Sequence, residues 1–195
     1  MHNITKPLRI SFFTSCFCVK LNEIDYSRYL VIRLKGCFAM VRVLFVCLGN
    51  ICRSPMAEAV FRHLLIEQGL DKKIEVDSAG TGDWHIGEPP HKGTQKKLDE
   101  YGIDYSSIHA RQLKGSDLAN FNYVIAMDAK NLEDINLMAS KNPTAYTARL
   151  MDFVDDDSIV DVPDPYFTGN FDVTYELVNE GCQQLLTFIR KREQM

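Results

Sequence analysis

The residues best placed to do chemistry are Cys47 and Arg53, which enclose Leu48, Gly49, Asn50, Ile51 and Cys52 and are followed directly by Ser54. A loop of this length can curl so that its backbone N–H groups converge on a tetrahedral anion. A helix starting behind it adds unpaired amides and the positive end of its dipole. Gly49 and Asn50 are the types that enter left-handed conformations most easily, and such a curl needs them. Arg53 brings a planar fork that matches two phosphate oxygens. The same positive field favours a cysteine as thiolate, its nucleophilic form, and Ser54 can donate to that sulfur. A Cys and an Arg six positions apart form a weak pattern alone and also fit an inert turn with a buried thiol. The flanking elements raise its value.

The second candidate is Asp164 in Asp161-Val162-Pro163-Asp164-Pro165-Tyr166-Phe167. Prolines on both sides stiffen the segment and can hold a carboxyl over a pocket. There it could protonate a departing aryl oxygen, with Tyr166 and Phe167 as an aromatic wall beside the ring. A solvated acidic turn fits the same residue, since Asp155, Asp156, Asp157 and Asp161 crowd nearby.

The elements that must position these groups alternate. Val41 to Val46 is an apolar, β-branched run suited to a buried parallel strand. Ser54 to Gln68 has helical spacing and opens on Ser-Pro, with Gly69 as its stop. Further strands are predicted over 73–78, 121–127 and 148–153, and helices over 90–101, 129–139 and 175–192. Strands separated by helices predict an α/β fold, a parallel sheet with helices on both faces. The Cys–Arg loop then lies at a strand's carboxyl end, where such folds bind ligands.

Composition narrows the function. The 195 residues suit one domain, and 46% hydrophobic with 25% charged is ordinary for a globular chain. No run approaches the roughly 18 apolar residues of a membrane helix. Net charge is −4, with 22 basic and 26 acidic residues. Residues 1–39 hold six cations against Glu23 and Asp25, so they carry +4 and leave −8 for the remainder. An acidic body argues against a nucleic-acid partner. Six cysteines, Cys16, Cys18, Cys37, Cys47, Cys52 and Cys182, show no disulfide framework and no Cys-x-x-Cys pair. A reducing cytoplasm is therefore expected, and no metal site. Residues 1–39 are basic and without period. They read as a targeting peptide lacking its cleavage site, a disordered extension, or a start placed too early, with Met40 the true first residue. The pattern favours the last, with the domain spanning 40–195.

The runs VLFVCLGNICRSPMAE, SAGTGDWHIGEPPHKGT, ARQL, FNYVIAMD and DPYFTGNFDVTYELV resemble the low-molecular-weight protein-tyrosine phosphatases. The likeness covers about four-fifths of the chain. It implies a three-layer sandwich with a four-stranded parallel sheet flanked by helices, and metal-independent, cofactor-free hydrolysis of phosphotyrosine in proteins through a cysteinyl phosphate. By motif, Cys47 resembles the nucleophile, Arg53 the clamp and Asp164 the acid and later the base. Asn50 and Ser54 resemble the residues that pin the loop and assist the thiolate. Cys52 resembles a second loop cysteine able to pair reversibly with the first under oxidation; a small buried side chain fits it equally. Trp84 and Tyr166 resemble pocket-wall aromatics, though Trp84 also fits a surface-loop anchor. A monomer or weak dimer is expected.

Departures from the family pattern are the leader, Ile108 where some members carry a loop-positioning His, and Phe167 where some carry a second Tyr. The alternatives are arsenate reduction, arginine-phosphate hydrolysis and a non-catalytic phosphotyrosine-binding module. The first needs extra thiols, and only Cys182 follows the loop. Arginine phosphatases of this type carry Thr where Ile51 stands. The binding module would need neither Cys47 nor Asp164.

Overall fold

The computed structural model describes residues 40–139, 144–156, 158 and 160–195. The expectation for residues 1–39, with Cys16, Cys18 and Cys37, lies outside these. Strand β1 (Val41–Cys47) is central. It pairs in parallel with β2 (Ile74–Gly80) on one side and β3 (Tyr123–Ala126) on the other, and β3 pairs in parallel with β4 (Tyr146–Arg149). The order β2-β1-β3-β4 makes the end of β1 a switch point, where the chain leaves in opposite directions.

Side chains of β1 alternate between two cores, as a period of two requires. Val43, Phe45 and Cys47 join one with Met56, Val60, Phe61 and Leu65 of helix α1 (Arg53–Glu67), Leu98 of α2 (Lys92–Glu100), and Val178, Cys182, Leu185 and Ile189 of α6 (Phe171–Glu193). Leu44 and Val46 join the other with Leu118 of the short helix α3 (Asp117–Asn120) and Ile135 of α4 (Ala129–Met138). The three-layer α/β sandwich is thus present. Phe45 meets Phe61 edge-on at 5.5 Å, which ties the central strand to α1.

Gly69, at φ +64°, ends α1. Its N–H bonds to Ile66 O and that of Leu70 to Leu65 O, the paired bonds of a left-handed glycine cap. Several boundaries differ from expectation, three of them for a physical reason that the structure shows. The strand predicted over 148–153 lies earlier, at Tyr146–Arg149, and Leu150–Phe153 winds into a 3-10 turn. The apolar run had marked the buried Leu150 and Met151, which face the core from a turn. Helix α6 starts four residues before the predicted Tyr175, because Asn170 caps it through a bond from Val173 N–H. Helix α1 starts at Arg53, with Cys52 as its N-cap and no side-chain cap bond. Ser54, read as the cap, turns its hydroxyl elsewhere. Among the described residues, no helix is long and apolar enough to cross a membrane.

Candidate active site

The loop between β1 and α1 curls through one left-handed residue, Asn50, at φ 55°. Gly49 was expected to share that conformation and does not. Its missing Cβ instead makes room for His85, whose ring carbon would stand 3.2 Å from such an atom. The amide of Asn50 holds the curl. Its Oδ1 accepts from Arg111 N–H at 2.8 Å, and its Nδ2 donates to Ser54 Oγ at 2.9 Å and Ser78 Oγ at 2.8 Å. Arg111 is held in turn by ion pairs to Asp77 and Asp117. Loop carbonyls bond outward: Cys47 O to Thr81 N–H, Leu48 O to Gly82 N–H, Ile51 O to His91 N–H and Cys52 O to Thr94 Oγ1. That leaves the concave side to N–H groups, the pattern of an anion nest.

Cys47 Sγ lies 3.0 Å from Ser54 Oγ and accepts from Asn50 N–H at 3.3 Å. Arg53 is 3% exposed. Its Nη1 donates to Asp128 Oδ2 at 2.6 Å and Val162 O at 3.2 Å, and its Nη2 to Asp164 Oδ2 at 2.7 Å. Its Nε is buried with no hydrogen-bond partner among the described residues. A buried guanidinium nitrogen of this kind calls for an acceptor. Burial alone would favour the neutral guanidine, but Cys47, Asp164 and Asp128 outweigh it and hold the charge. Asp164 caps the short helix α5 (Pro165–Thr168), its Oδ1 accepting from Tyr166 N–H at 3.1 Å. Thr174 of α6 donates to Pro163 O at 3.3 Å, which fastens this segment to the sandwich.

Above the loop opens a pocket of ≈ 170 Å³, on which both Cys47 and Asp164 border. Leu48, Gly49, Ile51 and Cys52 line its base. Trp84, His85, Tyr166 and Phe167 line it as well. The Trp84 ring lies over the backbone of Gly82, where a Cβ would meet it at 1.9 Å. Tyr166 stands edge-on to His91 at 6.1 Å, and His91 stacks on Phe171 at 5.3 Å. Cys52 is a free thiol that burial, then the nearby Cys47, pushes up to about 12, so it stays protonated at neutral pH. Cys182 is buried between α1 and α6, its thiol raised by burial. Among the described residues, no group of three or more His, Cys, Asp or Glu could hold a metal ion.

Sequence reasoning missed Asp128, Ser78 and His85. Asp128 ends the FNYVIAMD run, and a carboxylate just past a buried strand was the signal available. His109 is exposed, and Ile108 is core.

The family model for low molecular weight phosphotyrosine protein phosphatase matches residues 42–195. The chain is 53% identical over 156 residues to the low molecular weight protein-tyrosine-phosphatase YfkJ of Bacillus subtilis, across 80% of this chain and 100% of that one. The crystal structure of YfkJ superposes with a TM-score of 0.77, covering 79% of this chain and 97% of that one. PtpA of Staphylococcus saprophyticus is 43% identical over 152 residues, 78% of this chain and 96% of that one. The crystal structure of a Drosophila arginine phosphatase gives a TM-score of 0.72 at 33% identity, over 76% and 97% of the two chains. The chain therefore belongs to the low molecular weight phosphotyrosine protein phosphatase family.

Proposed function

We propose that the protein hydrolyses phosphotyrosine in proteins through a phosphoryl group held on Cys47. The observation that carries this reading is the shared pocket, which Cys47 and Asp164 both line, with the buried Arg53 bonded to Asp164. In the first step the Cys47 thiolate attacks phosphorus in line. The S–P bond forms, the P–O bond to tyrosine breaks, and Asp164 gives its proton to the leaving oxygen. Arg53, through Nε and Nη2, and the loop amides take up charge on the equatorial oxygens. In the second step water attacks phosphorus, Asp164 takes a proton from it, and the S–P bond breaks to give inorganic phosphate and the thiolate. Because Asp164 Oδ2 here accepts from Arg53, the incoming phosphoryl group must draw the guanidinium away and free the carboxyl for the leaving oxygen.

Trp84 and Tyr166 are read as the walls that sandwich the substrate ring, and Leu48, Gly49, Asn50, Ile51, Cys52 and Ser54 as the phosphate loop. Three free thiols among the described residues support a reducing cytoplasmic setting, with the protein acting as a monomer or weak dimer. Hydrolysis of p-nitrophenyl phosphate in EDTA tests the scheme. Cys47→Ser should abolish it, and Asp164→Ala should lower kcat by about 10²–10⁴ on an aryl phosphate with a poor leaving group. Full activity in Cys47→Ser would refute the scheme.

A second substrate deserves the same assay because of the likeness to the Drosophila arginine phosphatase. Ile51 offers the pocket only an apolar surface, which favours an aryl ring over a guanidinium. Turnover of phosphotyrosine should exceed that of phosphoarginine, and the reverse order would reassign the substrate.

A further inference from the structure

The phosphate loop can hold any phosphoryl group, so the choice among phosphotyrosines falls to the residues around the pocket mouth. We infer that this mouth selects phosphotyrosines flanked by apolar and basic residues and turns away those with acidic flanks. The inference rests on the reading of phosphotyrosine in proteins as the substrate, and it names the class of sequence around it.

Large apolar side chains are normally exposed singly on a surface, and a group of them beside a cleft marks a contact site. Leu48, Trp84, Tyr166 and Phe167 all line the pocket and are all exposed, Trp84 by 68% and Phe167 by 77%. Ile86, two residues beyond Trp84, is exposed too. The pocket takes up the phosphotyrosine ring, and the parts of these side chains left in solvent border the polypeptide beside it. Phe167 stands edge-on to Tyr166 at 5.4 Å, and Trp84 lies over Gly82, so both rings are already held in place. Covering them costs little further entropy. An apolar side chain next to the phosphotyrosine removes them from water, whereas a polar one would be buried there without a partner.

Charge decides what lies beyond. The ten residues that line the pocket include neither Lys nor Arg. The segments that carry the rings, 80–91 and 161–175, hold Asp83, Glu88, Asp161, Asp164 and Asp172 against only His85 and His91. Arg53 is buried and already bonded to Asp128 and Asp164, so its charge is compensated inside the site. Asp83 is exposed beside Trp84 and has no partner among the described residues. Glu88 pairs with His85 at 2.8 Å, Asp161 with Arg149 at 3.4 Å, and Asp172 with Lys97. Lys92 opens α2 just past His91 and offsets one of these charges at most. Residues 40–195 carry −8, so the long-range field also opposes an acidic peptide. The phosphoryl group is drawn in by short-range bonds of the loop, but a carboxylate beside it meets like charge, and a guanidinium or ammonium meets opposite charge.

The test is kcat/KM of the full chain on phosphotyrosine peptides that differ only beside the phosphotyrosine: Ser flanks, Leu flanks, and Leu flanks followed by Arg or by Glu. p-Nitrophenyl phosphate, which has no flanks, is the reference. Leu flanks should exceed Ser flanks by about fivefold. Arg should exceed Glu by about tenfold at about 0.02 M salt and by about twofold at about 0.5 M, mostly through KM. Ile86→Ser should shrink the Leu advantage and Asp83→Lys the Arg advantage. Both should leave p-nitrophenyl phosphate hydrolysis unchanged, because neither side chain lines the pocket. Equal kcat/KM on all the peptides, a preference for Glu, or variants that keep both wild-type ratios would overturn the inference. So would activity per molecule that falls on every peptide as enzyme concentration rises, since a second copy would then be what covers the rings. Failure of wild type to hydrolyse p-nitrophenyl phosphate would overturn the reading of the function instead.

Discussion

Arg53 serves three acceptors at once, and the division of its bonds explains why a single-residue reading of the motif fell short. Nη1 is occupied by Asp128 and Val162 O, which fix the plane of the fork; Nη2 reaches Asp164, and Nε has no hydrogen-bond partner among the described residues. Asp128 is thus the residue that aims the guanidinium, while its Oδ1 caps α4 through Asn131 N–H at 2.6 Å. Asp128→Asn keeps an oxygen for the cap and removes the charge-assisted bond, worth about 1.5–3 kcal/mol. Steady-state kinetics should show kcat/KM falling at least about tenfold, and the melting temperature should fall too, by about 2–4 °C for each kcal/mol lost. Unaltered kcat/KM would show that Val162 O alone aims the fork. Cys47, Arg53 and Asp164 were legible because each sits in a distinctive local pattern. Asp128 and Ser78 were not, because their partners lie far along the chain: Asp128 is 75 residues from Arg53, and Ser78 is 28 from Asn50.

At the scale of elements, the loop keeps its shape because β2 presses on it from behind. A Cβ on Gly80 would meet Leu48 O at 2.9 Å and Gly49 C at 3.1 Å, both backbone atoms. Gly80→Ala must therefore shift the loop itself, costing about 1–3 kcal/mol in stability and lowering kcat. Gly181→Ala makes a contrasting case. Its Cβ would stand 2.5 Å from Leu150 Cγ, where α6 crosses the 3-10 turn away from the pocket. It should lower the melting temperature while leaving kcat per folded molecule intact. Measuring both quantities on both variants separates the two effects; equal kcat in both would mean that β2 does not shape the loop. The strand–helix alternation was readable because buried parallel strands are continuous apolar runs. The fourth strand was misplaced because Ala148 to Phe153 is just as apolar in a turn. The start of α1 was missed because the Ser54 hydroxyl turns to Cys47 and Asn50 instead of capping; that of α6 was missed although its cap, Asn170, is local.

Across the whole molecule, the functional end of the sheet is balanced by an aromatic cluster at the opposite end of the strands. There Arg192 of α6 lies over the Tyr146 ring at 4.7 Å, and Tyr123 donates to Glu193 Oε1 at 2.7 Å. This fastens the end of α6 to the sheet. Burial first, then Glu193, raises the Tyr123 phenol above its ordinary value. A folded-state pKa above the unfolded one gives stability that is complete below the unfolded value, near about 10, and is lost as pH rises through the folded value. Tyr123→Phe keeps the ring and removes the phenol, so its melting temperature should decline less steeply above about pH 10 than that of wild type. Parallel curves would place the alkaline loss elsewhere. This contact was invisible in the sequence, since Tyr123 is 70 residues from Glu193.

The reaction cycle joins all three scales, and its central claim is the phosphoryl group on Cys47. The most direct measurement is rapid acid quench of the full chain during turnover of a phosphotyrosine peptide, followed by mass mapping of the adduct. One phosphoryl group on the peptide containing Cys47, absent from Cys47→Ser, is the predicted result. Turnover with no adduct in the quench, or with the phosphoryl group on another residue, would contradict the account.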